Sequence, residues 1–266
     1  MKRATEFKEI RVSYSDSGHG RPLVLLHGYL ETGEVWQPLS DILSETFRVI
    51  SVDLPGHGDS GVAGDTHTME FLAEALREVI VDADVKRVML VGHSLGGYVA
   101  LAFTEMYADM LAGYVLFHSH PYPDSPETIA KRKREIAVVR AGRKNLLYPA
   151  NIPMMFAEHN LGIMSEAVER SMGIASLDDA EGIIALLNGM IVRPSRASVI
   201  EKGEVPLLWI LGSWDRYFSP ANSIRDIKLP ANAEVVILEN SGHLGFIEET
   251  EHSAELITMF ADRIGW

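Results

Sequence analysis

The chain has 266 residues, 47% of them apolar, and a formal charge of -13, enough chain for one buried core with an insertion. It contains no cysteine, which excludes disulfides, thiolate metal sites and a cysteine nucleophile and leaves oxygen or nitrogen as any nucleophile. The acidic balance argues against a nucleic-acid surface. A charged N-terminal segment and the lack of any run of about eighteen apolar residues argue against a signal peptide or membrane span, so a cytoplasmic protein is expected.

In chain order, the alternating segment 9–14, closed by Asp16-Ser-Gly-His-Gly20, reads as a half-exposed antiparallel edge pair. Short apolar runs then alternate with helical patterns. The expected strands are 23–26, 49–53, 88–91, 114–117, 207–211 and 235–238, and helices are expected over 69–81, 95–107 and 246–264. This rhythm predicts an α/β fold with a mostly parallel central sheet flanked by helices. The interval between Phe117 and Leu207 is far longer than an ordinary connection of about 4–6 residues and must carry structure of its own. Within it, 125–147 reads as one helix with Ile129, Ile136, Val139 and Leu146 on a face, and 165–190 as helices broken near Gly173. Residues 122–203 are therefore assigned as a helical cap inserted into a core of 1–121 and 204–266.

The strongest local motif is Gly92-His-Ser94-Leu-Gly96-Gly97, directly after one expected strand and opening a helix, the context of a nucleophile elbow. A serine on so tight a turn holds about 1–3 kcal/mol of backbone strain and needs small neighbours. The helix N-terminus places the Leu95 N–H where an oxyanion develops. Out of context, the same pattern is an ordinary glycine turn. Three further segments give it context. His27-Gly28-Tyr29 follows the strand at 23–26 and offers the Tyr29 N–H as second oxyanion donor, the bland reading being a plain turn. Asp215, in Gly212-Ser-Trp-Asp215, leaves a buried-looking strand where open α/β sheets place ligands; it is equally placed to cap a turn, and Asp124 or Asp53 compete for the acid's role. His243, in Ser241-Gly-His243, precedes the last helix and gains meaning only jointly with the other two, since the chain has ten histidines.

With these motifs in hand, the sequence resembles the α/β-hydrolase superfamily over nearly its whole length, from Leu-Val-Leu-Leu-His-Gly at 23–28 through Asp53-Leu-Pro-Gly-His-Gly-Asp-Ser60 to the terminal helix. The resemblance implies a Ser94–His243–Asp215 triad, an oxyanion hole from the Tyr29 and Leu95 N–H groups, a cap over the pocket, and no cofactor. Serine at the elbow, where dehalogenases and epoxide hydrolases carry aspartate, points to cleavage of an ester or related acyl bond of a small molecule through an acyl-enzyme. The alternatives are C–C hydrolysis or lyase chemistry with the same triad, and a non-catalytic ligand-binding sensor on the same fold.

Weaker signals surround this core. His118, Trp214 and Phe246 are candidates for lining the substrate pocket. His118-Ser-His120 with Asp124 nearby lacks a third ligand at the spacing of metallo-hydrolases, so no metal is expected. The run Lys131-Arg-Lys-Arg134 with Arg140, Arg143 and Lys144 reads by default as a solvated helix face, with an acidic substrate or an anionic membrane as the alternative. Met154-Met155-Phe156, Met164, Met172 and Met190 either line an adaptable apolar pocket or pack the cap onto the core.

Overall fold

The computed structural model describes residues 1–266. Eight strands form one sheet: β1 (Lys2–Phe7), β2 (Ile10–Gly18), β3 (Arg21–Leu26), β4 (Phe47–Val52), β5 (Val88–His93), β6 (Leu111–Phe117), β7 (Leu207–Gly212) and β8 (Ala233–Leu238). Their order is β1-β2-β4-β3-β5-β6-β7-β8. The pairs β1/β2 and β2/β4 are antiparallel, and every later pair is parallel. Every residue of β5, β6 and β7 is buried, as strands covered on both faces must be, which is why they read as unbroken apolar runs. At the far edge β8 is only partly buried.

The register fixes where function can sit. Leu26 pairs with Gly92, Gly92 with Leu116, Leu116 with Trp209 and Trp209 with Val235, so the carboxyl ends of β3, β5, β6, β7 and β8 end at one rim. The chain order reverses at β3, which lies between β4 and β5. Open sheets bind ligands at such a switch point.

Helices α1 (Gln37–Leu43), α2 (Met69–Asp82) and α3 (Leu95–Tyr107) lie between the early strands. Thr68 caps α2 by accepting the Phe71 N–H, and α3 is buried almost all round. Between β6 and β7 the chain forms the insertion: α4 (Pro126–Arg140), α5 (Leu147–Met155), α6 (Ser165–Ser176), α7 (Ala180–Val192) and α8 (Ala197–Lys202). The short α9 (Pro220–Ser223) follows β7, and α10 (Gly245–Glu248) and α11 (Thr250–Arg263) close the chain.

Two expectations for the insertion are corrected. The single helix over 125–147 ends at Arg140, because Gly142 adopts φ +72°, a left-handed turn suited to glycine. Only Ile136 and Val139 of the expected face are buried; Leu146 is half exposed. The break expected near Gly173 lies instead between α6 and α7, where Asp179 caps α7 through the Glu181 N–H. Gly173 stays helical, since a helix interior tolerates one glycine at about 1 kcal/mol. The final helix expected over 246–264 is divided at Glu249 into α10 and α11.

Candidate active site

Ser94 occupies the turn between β5 and α3 with φ 48° and ψ -110°, a conformation that a side chain rarely adopts and that costs of the order of 1–3 kcal/mol. Its backbone is pinned: the Ser94 N–H donates to the Phe117 carbonyl at 3.0 Å and its own carbonyl accepts from Ser119 Oγ at 2.8 Å. Its hydroxyl does not cap α3 and lines a cavity of about 550 Å³. The glycines around it are demanded by packing. A Cβ on Gly96 would strike the carbonyls of Leu26 and His27, and one on Gly92 the backbone of Gly96. Helix α3 thus crosses the end of β3 closely enough to set the Leu95 N–H beside the loop carrying the Tyr29 N–H; neither donor has a protein acceptor.

His243 lines the same cavity, and its Nδ1 lies 2.7 Å from Asp215 Oδ2. The other Asp215 oxygen, Oδ1, accepts the N–H groups of Tyr217 at 2.7 Å and Phe218 at 2.9 Å. Burial pushes this carboxyl up, but the two histidines beside it, His243 and His118, prevail and hold it well below the usual carboxylate range. Asp215 therefore caps a turn and orients His243 at once. The two rival acids are elsewhere: Asp53 accepts the Gly33 and Asp59 N–H groups, and Asp124 is held between Arg132 and Arg193.

The three candidate pocket residues do not line the cavity. His118 is fully buried behind Asp215, with Nδ1 3.4 Å from Asp215 Oδ2 and Nε2 accepting the Gly245 N–H at 3.2 Å. Phe246 is buried against Trp36, with ring centroids 4.1 Å apart. Trp214 points outward, 55% exposed, because its indole N–H is drawn to the Glu239 carbonyl. Residues from the insertion line the cavity in their place, among them Met155, Met190, Lys131 and Arg132. Of the five methionines named from the sequence only these two reach it. His118 and His120 also diverge: His120 packs on Tyr98 and Phe218. The ligand atoms of His118, Asp215 and His243 do lie within 4.8 Å of one another, but the short His243–Asp215 bond already uses two of them.

Several supporting groups escaped the sequence reading. His27 and His57 stack with centroids 5.4 Å apart. Each faces a carbonyl through Nδ1, Gly28 and Gly56 respectively at 2.7 Å, so each carries its proton there and accepts through Nε2. His27 accepts the Leu54 N–H and His57 the Leu30 N–H, which ties the Tyr29 loop to the loop after β4. Glu248 accepts the N–H groups of Gly242 and Ala157, both at 2.7 Å, and so joins the His243 loop to the end of α5. The paired motifs His27-Gly28 and Gly56-His57-Gly58 held the first signal; nothing local marks Glu248.

Fold and rim geometry together define an alpha/beta hydrolase, and the chain belongs to the Alpha/beta hydrolase family, whose model matches residues 23–257. An esterase from Thermogutta terrifontis, solved with malate bound, is similar at 28% identity and a TM-score of 0.93, covering 99% of each chain. A putative 2-succinyl-6-hydroxy-2,4-cyclohexadiene-1-carboxylate synthase of Bacillus subtilis (strain 168) is 26% identical over 96% of each chain. A pimeloyl-[acyl-carrier protein] methyl ester esterase of Vibrio cholerae is 25% identical, covering 93% of this chain and 96% of the relative. No helix is long and apolar enough to cross a membrane.

Proposed function

We propose that the protein hydrolyses a carboxylic ester, or a related acyl bond, of a small molecule through an acyl-enzyme on Ser94. The observation that carries the reading is the 2.7 Å His243 Nδ1–Asp215 Oδ2 contact, made by a histidine that lines the same cavity as Ser94. Asp215 sets the tautomer, leaving Nε2 of His243 free to take the Ser94 proton as Oγ attacks the carbonyl carbon. The carbonyl oxygen becomes an oxyanion held by the Tyr29 and Leu95 N–H groups. His243 then gives its proton to the leaving alcohol, and water, deprotonated by the same histidine, releases the acid. Residues 122–203 act as the cap that shapes the pocket. The cavity, of about 550 Å³, has the size of a small-molecule site. The likeness to two esterases supports ester cleavage.

A second reading is C–C bond or elimination chemistry with the same triad, favoured by the likeness to a synthase. The deciding experiment is hydrolysis of a p-nitrophenyl ester series by wild type and Ser94→Ala. Loss of about 10⁴-fold or more in the variant is expected. Equal rates in the two proteins would sink the serine mechanism.

A further inference from the structure

The basic run on α4 is divided by the fold. Lys131 and Arg132 line the cavity, whereas Lys133 and Arg134 are exposed on the outside. Within the wall, Asp124 is the sole carboxylate bonded to two guanidinium groups. Arg132 meets it through Nε at 2.6 Å and Nη2 at 3.3 Å, and Arg193 through Nη1 at 2.5 Å. Arg193 is almost fully buried, lies 3.9 Å from the Tyr98 ring centroid, and has no partner for Nε or Nη2. Lys131 Nζ stands 3.8 Å from Glu135 Oε1 and 3.2 Å from Asn151 Oδ1. Arg216, also in the wall, is paired with Glu158 at 2.7 Å. Three cations therefore face two carboxylates, Asp124 and Glu135, leaving one positive charge in excess inside a chain whose net charge is -13.

A partly buried guanidinium without its full complement of acceptors is costly, and a bound anion offsets that cost. The lining is polar as well: only six of its twenty-two residues are hydrophobic, whereas small-molecule pockets are usually mostly apolar. The Nη1 group of Arg132 makes no hydrogen bond to the protein, so it is the donor left for a ligand. Resting on the hydrolase reading above, we propose that the substrate is a monoanion, an ester that also bears a carboxylate, with that carboxylate bound by Arg132 and Lys131 while Ser94 attacks the ester carbonyl. The single excess charge matches a carboxylate better than a doubly charged phosphate. The cap then selects by charge as well as by shape.

The test compares monoethyl succinate, glutarate and adipate with neutral ethyl esters of matched length, following released ethanol. Wild type is expected to favour at least one half-ester by roughly tenfold or more in kcat/KM. Arg132→Gln and, separately, Lys131→Gln should lower that preference ratio about tenfold, mainly through KM, while Arg134→Gln on the outer face leaves it unchanged. Melting curves show whether each variant is folded, and the Lys131 variant, whose side chain is half exposed, keeps the test decisive if Arg132→Gln is not. Calorimetric titration of Ser94→Ala with monoethyl glutarate reads binding apart from turnover. Hydrolysis of neutral esters with no half-ester preference would overturn the inference and leave the hydrolase reading intact. Arg132-dependent binding of monoethyl glutarate without hydrolysis of any ester would support the anion site and overturn ester hydrolysis.

Discussion

Oε2 of Glu31 lies 2.9 Å from Nδ1 of His93, and neither side chain is more than 4% exposed. The other ring nitrogen of His93 faces the His243 carbonyl at 2.9 Å, so each ring nitrogen meets an oxygen, one from a side chain and one from the backbone. Burial pushes the Glu31 carboxyl up, but His93 and the Gly28 N–H outweigh it and leave it below its ordinary value. Since Glu31 also accepts the Gly28 N–H at 2.6 Å, this pair joins the Tyr29 loop, the residue before Ser94 and the His243 loop.

Glu31→Gln should therefore lower stability at pH 7 by about 1–3 kcal/mol and reduce kcat about tenfold through a looser Tyr29 loop. A carboxyl with a lowered folded pKa stabilises above its unfolded value near 4.3 and loses that contribution as pH falls through the folded pKa. The gap between wild type and variant in urea unfolding should accordingly shrink below about pH 4. A variant as stable as wild type at pH 7 would show that the pair contributes nothing.

His118 acts on Asp215. Because its Nε2 accepts the Gly245 N–H, the ring proton sits on Nδ1 and faces Oδ2 of Asp215, and the backbone holds the residue there at φ +45°. His118→Ala should cut kcat roughly ten- to hundredfold, by analogy with residues that orient ligating groups, with less change in KM. A shift in the acid limb of the kcat/KM profile should accompany it. An unchanged profile with intact kcat would reduce His118 to packing.

Burial drives His27 down to about 3 and His57 and His118 down to about 4, so the native state keeps all three neutral. The unfolded chain binds protons near pH 6.5, so stability is full above that value and falls as pH drops toward 4, at up to roughly 4 kcal/mol per pH unit for three sites. Urea unfolding across this window measures the slope. His57→Gln, which retains a donor and an acceptor, should make it shallower by about one proton; an equal slope would show that His57 is not among the titrating groups.

Asp178, in the turn between α6 and α7, is buried with neither carboxyl oxygen hydrogen-bonded, 3.6 Å from His57 Nε2. Burial raises its pKa well above the carboxylate range. The unfolded chain loses this proton near pH 3.9, so the native state is progressively penalised as pH rises toward the folded pKa. Asp178→Asn should raise Tm at pH 8 and change it little at pH 4, with differential scanning calorimetry as the measure. A lower Tm at pH 8 would mean that a carboxylate, not an acid, belongs there.

Much of this architecture was legible in the sequence because its signals are local. Residues 88–91 are apolar throughout because both faces of the strand are covered, and Gly92 and Gly96 flank Ser94 because a crossing helix leaves no room for a Cβ. The elbow motif, the expected strand ends and chain order together pointed to Ser94, Asp215 and His243 at one rim. The tertiary structure decided what lies around them. Trp214 turns outward and His118 is sealed behind Asp215, although both follow strands as Ser94 does, because side-chain direction at a rim depends on partners far away in the chain. The pairing of Glu31 with His93 spans 62 positions, and the division of Lys131-Arg-Lys-Arg134 into cavity wall and solvent face depends on how α4 is rotated over the sheet. Periodicity and motif spacing report on one segment at a time; charge pairing and pocket lining are set by packing between segments.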